Sequence, residues 1–133
     1  MWICLPYGYF SIVAKGKINQ FCIRSRNKDH LLLLCDDIIK YGGKPTKVSI
    51  SRGTDYPYRI WIDQEEWAHC LKEIMLAVDY DNFKSEAKYT NPKDHVYHSF
   101  LSKIWSLSHD LTKRAKNEEP DFIFDWFGGN ETR

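Results

Sequence analysis

Gly53-Thr54-Asp55-Tyr56-Pro57-Tyr58-Arg59-Ile60-Trp61-Ile62 begins as a turn and ends as a strand, and Asp63 directly behind it opens a helix. Glycine, aspartate and proline favour the turn, each through its own backbone preference. Tyr58, Ile60 and Ile62 then alternate with Arg59 and Trp61. With a side-chain period of two, the first set faces a core and the second faces away.

Upstream, residues 47–51 form a partner strand with Val48 and Ile50 on one side, so the opening stretch closes a β-hairpin. Gly42-Gly43 and Pro45 end the helix before it. That helix carries Leu31, Leu34, Cys35 and Ile38 as its buried stripe, with Asn27 or Asp29 as cap. Earlier still, residues 21–26 alternate, with Phe21 and Ile23 opposed to Cys22, Arg24 and Arg26. Residues 2–14 are aromatic and β-branched, and Pro6 and Gly8 interrupt them, which predicts a bent strand or one at a sheet edge. Lys15-Gly16-Lys17 is the turn between these runs, giving a first hairpin.

Downstream, Asp63 and Glu66 have capping-box spacing. Trp67, Cys70, Leu71, Ile74 and Val78 form a helical stripe that ends near Asp79-Tyr80-Asp81. Asp81 caps a short helical piece through Lys88, and Asn91-Pro92 supplies N-cap and first-turn proline for a long helix to about Lys116. Val96, Phe100, Ile104, Leu107 and Leu111 mark its apolar face. The expected architecture is a single α+β domain over residues 1–117, with a four-stranded antiparallel sheet from two β-hairpins (ββαββα) and the long C-terminal helix across it. Residues 118–133 form an aromatic and acidic tail.

Composition narrows the chemistry. The 133 residues suit one domain, and 43% apolar with 15% aromatic content argues against disorder. A net charge of +1 excludes nucleic-acid binding by bulk charge, so any phosphate contact needs a local patch. Cys4, Cys22, Cys35 and Cys70 form no C-x-x-C pair and read as free thiols of a reducing cytosol. The N-terminus has no basic and apolar signal regions, and no window approaches the ~18 apolar residues of a membrane span. A soluble, cytoplasmic protein is expected, with no membrane partner. Neither P-loop, G-x-S-x-G, G-x-G-x-x-G nor H-E-x-x-H occurs, and no metal or cofactor is called for.

The outward face of the expected sheet carries Arg24, Arg26, Lys47, Ser49, Ser51, Arg59 and Trp61, and gains Tyr9 and Ser11 if they share that side. Guanidinium groups fork onto phosphate or carboxylate, and rings stack on bases, so this face suits an anionic ligand. A solvated face, or one covered by the later helices, accounts for the same residues. Asp79, Asp81 and Glu86 cluster around Tyr80 and Phe83, where helix caps are also expected. His95 and His98 are three apart, as two ligands on one helix face would be, but no further ligand signature accompanies them. Phe122, Phe124, Trp126 and Phe127 either dock on this chain or capture a partner.

The set Trp2-Ile3, Gly8-Tyr9-Phe10-Ser11-Ile12-Val13, Arg24-Ser25-Arg26, Gly53-Thr54-Asp55-Tyr56-Pro57-Tyr58-Arg59, Asp79-Tyr80-Asp81-Asn82-Phe83-Lys84, His95-Val96-Tyr97 and Ile104-Trp105 resembles a family of small uncharacterised bacterial and phage proteins. The resemblance spans roughly residues 2–108 and implies no activity. It directs attention to the turn at Asp55–Arg59, to Arg24 and Arg26, and to the Asp79–Lys84 corner. The expected function is a non-enzymatic binding module in which Arg24, Arg26, Arg52, Tyr56, Tyr58, Arg59, Trp61 and Lys84 hold an anionic partner: RNA, a nucleotide signal or an acidic protein surface. A phage-type inhibitor of bacterial defence belongs to this class. The alternative is a small phosphoester-acting enzyme using Asp55, Asp79 and Asp81 with His95 or His98. A third reading places partner capture on the aromatic tail.

Overall fold

Pro6 and Tyr7 cut the first aromatic run into two strands, β1 (Trp2–Leu5) and β2 (Gly8–Ala14), in the computed structural model, which describes residues 1–112. The expected four strands are therefore five. Proline has no N–H to donate to a ladder, so the run turns back on itself there instead of continuing as one bent strand. The other strands are β3 (Gln20–Ser25), β4 (Ser49–Ile50) and β5 (Tyr58–Asp63). The helices are α1 (Lys28–Lys40), α2 (Gln64–Leu76), α3 (Phe83–Thr90) and α4 (His95–Ser108).

The sheet is antiparallel throughout, in the order β1-β2-β3-β5-β4. One register row runs Trp2, Ser11, Arg24, Arg59, Ser49. The neighbouring row runs Ile12, Ile23, Ile60. Since the side-chain period is two, these rows lie on opposite faces. Phe10, Ile12, Ile23, Ile60 and Ile62 meet Leu31, Leu34 and Ile38 of α1 and Trp67 and Cys70 of α2 in one buried core. Each such side chain contributes roughly 2 kcal/mol on burial.

Local signals place the helices. Asn27 caps α1, its side-chain oxygen accepting from the His30 N–H at 3.1 Å. Gly42, at φ 89°, ends α1: its N–H reaches the Ile39 carbonyl at 3.0 Å and that of Gly43 reaches Ile38 at 2.8 Å. This pair of backward bonds needs a left-handed residue, which glycine supplies without strain. Asp63 caps α2 through the Glu65 and Glu66 N–H groups.

Three boundaries differ from expectation. Asn82, not Asp81, caps α3 through the Ser85 N–H at 2.9 Å. Asn91 donates its N–H to Ala87 and ends α3, and Asp94, not Asn91, caps α4 through the Tyr97 N–H. Val78 lies beyond α2 and is exposed.

The chain divides into two compact units, Met1–Tyr97 and His98–Arg133. In the first, Tyr97 is buried and its hydroxyl donates to the Leu5 carbonyl at 2.6 Å. His30 Nε2 meets the Asp94 carboxylate at 2.8 Å and the His30 ring stands edge-on to Tyr97. In the second, α4 buries Leu101 and exposes Ile104, Leu107 and Leu111. The apolar face is therefore not the expected stripe. Apolar residues surround this helix, so several periodic rows were available, and Tyr97 with Leu101 is the row that is buried. The expected boundary at 117/118 and the aromatic tail lie outside the described residues. No helix among the described residues is long and apolar enough to cross a membrane.

Candidate functional site

Tyr56 organises the outer face of the sheet. Its turn is held by Thr54, whose hydroxyl donates to the carbonyls of Ser51 at 2.7 Å and Tyr56 at 3.1 Å. Gly53 takes φ 81° in this turn. Arg59, at the start of β5, donates its Nε–H to the Tyr56 carbonyl at 3.1 Å. These bonds bring the ring back over β3, where it is almost fully buried.

The Arg24 guanidinium carbon lies 4.6 Å from the Tyr56 ring centroid and that of Arg26 lies 4.9 Å away. Each contact is a cation–π attraction of about 0.5–2 kcal/mol, depending on desolvation. Arg24 also donates to the Ser11 hydroxyl at 2.7 Å, along the register row that pairs these residues. The Arg24 Nε is buried without a hydrogen-bond partner. Tyr9 joins the cluster, its hydroxyl 3.4 Å from that of Tyr56 and its ring beside Trp2. Burial pushes the Tyr9 phenol up, the Tyr56 hydroxyl adds to this, and Arg26 opposes it.

The cluster is electropositive. Among the described residues the arginines form no ion pair with a carboxylate. Burial raises the Cys22 thiol on this face, while Arg59, Arg24 and Lys15 pull it down. Arginines held by a ring and a hydroxyl keep their charge and their outer N–H edges, the arrangement that receives phosphate or carboxylate.

The other expected site residues separate. Arg52 is exposed in the β4–β5 turn. Tyr58 pairs with Ser25 and packs against the core, so it belongs to the opposite face. Trp61 is on the arginine side but half-buried, and a Cβ on Gly16 would stand 2.9 Å from its ring. Its ring therefore covers the β2–β3 turn. Lys84 stands in the first turn of α3, and Asp79 and Tyr80 line a different cleft. Asp55 is exposed in the β4–β5 turn, Asp81 and His95 are exposed, and His98 is half-buried. Among the described residues no group of three or more histidine, cysteine or acidic side chains is placed to hold a metal. The four cysteines are free, Cys22 and Cys70 being buried.

Ser11 and Thr54 enter the site without having been singled out. Ser11 was attached to this face only by an open assumption about β2, which the register row now fixes. Thr54 carried no signal beyond its place in the turn.

Comparisons with protein-family models, with curated proteins and with solved structures give no match to the chain.

Proposed function

We propose that the chain is a non-enzymatic binding module that holds an anionic partner on the Arg24, Arg26, Tyr56 and Arg59 cluster. The observation that carries this reading is the Tyr56 ring clasped by two guanidinium groups that have no carboxylate partner among the described residues. Stacking on the ring fixes the guanidinium planes before any ligand arrives, which lowers the ordering loss on binding. The partner is phosphate-bearing, as RNA or a nucleotide signal is, or is an acidic protein surface. Fluorescence anisotropy at low salt with single-stranded RNA, a cyclic dinucleotide and a polyglutamate peptide tests it. Binding to one of them is expected, weakening steeply with added salt and by about tenfold or more in Arg26→Ala, whose exposed side chain is not part of the core. Failure of all three probes at low salt overturns the proposal.

A further inference from the structure

A cleft of opposite sign to the arginine cluster lies in the same compact unit. A cleft of about 290 Å³ opens between the β1–β2 turn, the ends of α1 and α2, and α3. That volume is at the small end for ligand sites, which run about 300–1,000 Å³, and suits a small molecule rather than a helix. Leu5, Ile74 and Met75 give it apolar wall, and Met75 is well exposed.

Its charged lining groups have one sign. Asp37, Asp79 and Glu86 line it, and no lysine, arginine or histidine is among its lining residues. Tyr41 and Ala77, the C-cap residues of α1 and α2, both line it as well. Two helix C-termini therefore turn their partial negative charge toward the cleft, and the last turn of α2 has no basic residue to offset it. Lys40 in the last turn of α1 lies over the Tyr41 ring at 5.3 Å and partly offsets that helix end, so the negative field is strongest on the α2 side. The Asp37 carboxylate accepts the Tyr7 hydroxyl at 2.6 Å and so is fixed in place. The Tyr80 phenol is pushed up by burial, then by Glu86 and Asp79, which marks the same negative field at a ring beside both acids.

We infer that this cleft binds a small aliphatic amine, with its ammonium held at Asp79 and Glu86 beside the Tyr80 ring and its hydrocarbon stem on Leu5, Ile74 and Met75. The ammonium meets carboxylates, helix-end dipoles and an aromatic face, each favourable to a cation. The stem covers apolar surface that otherwise meets water.

The test is an NMR titration of the full chain with cadaverine, and in parallel with n-pentanol, which keeps the five-carbon stem and lacks both ammonium groups. Saturable shifts at Met75 and Tyr80 with cadaverine are expected, together with about tenfold weaker binding in Glu86→Gln and in Asp79→Asn. Asp79 is exposed, so its variant keeps the test valid if Glu86→Gln fails to fold. Arg26→Ala should leave cadaverine binding unchanged, which separates this site from the arginine cluster. No saturable shift, equal binding of n-pentanol, or wild-type affinity in Asp79→Asn overturns the inference.

Discussion

The arginine cluster lies on the outer face of the sheet and the acidic cleft lies between helix ends, and the two hold their charges differently. In the cluster, like charges are gathered on one aromatic ring, and Tyr56 is both core and scaffold. In the cleft, the acids come from separate elements: Asp37 from α1, Asp79 from the segment after α2, and Glu86 from α3. Removing one side chain should therefore dismantle the cluster, while the cleft should lose charge one residue at a time. The contrast shows that a charged surface is organised as much by its neutral neighbours as by its charges.

Tyr56→Ala is the largest break. It removes a buried ring and both cation–π contacts, so it should destabilise the fold by about 3 kcal/mol in urea denaturation. The same variant should lose anion binding and retain cadaverine binding. Tyr56→Phe keeps the ring, and retention of most stability and binding there would show that stacking matters more than the hydroxyl contact with Tyr9.

Tyr7→Phe acts on the cleft. It removes the 2.6 Å bond to the Asp37 carboxylate, a charge-assisted bond whose loss should lower stability by about 1.5 kcal/mol by the same assay. A loss of anion binding in this variant would mean that the two regions are coupled.

The smallest effect is alkaline. Burial, and then the Asp37 carboxylate, raise the Tyr7 phenol well above its ordinary value. The unfolded chain releases phenolic protons near pH 10, as free tyrosine does, whereas folded Tyr7 retains its own. Above that pH the native state binds more protons than the unfolded state, so stability is full below about pH 10 and falls as pH rises. Denaturation at about pH 9 and about pH 11 should show a loss that is smaller by about 1 kcal/mol in Tyr7→Phe than in the wild type. An equal loss in both proteins would remove Tyr7 from the account.

Much of the fold is legible from residues near one another in the sequence. Alternation at residues 21–26 and 58–62 separates the two faces, and the caps at Asn27 and Asp63 and the Gly42-Gly43 stop act within a few residues of themselves. Two local competitions were harder to read. Pro6 could bend a strand or divide it, and Asn91 could end one helix or begin another; Pro6 divides it, and Asn91 ends α3 while Asp94 caps α4.

The sequence by itself determined the alternating faces, the starts of α1 and α2 and the presence of arginines beside tyrosines, because these depend on periodicity and short-range hydrogen bonds. Tertiary structure alone decided which of those residues meet. Arg24 and Tyr56 are far apart along the chain, and the β3–β5 register with the Thr54 turn brings them together. The same register sends Tyr58 to the core and leaves Arg59 and Trp61 on the outer face. The cleft was still less visible, since its walls come from four separated segments whose acids, read locally, are ordinary surface groups and helix ends. Charge sign is carried by residues, but a site needs distances, and packing sets those.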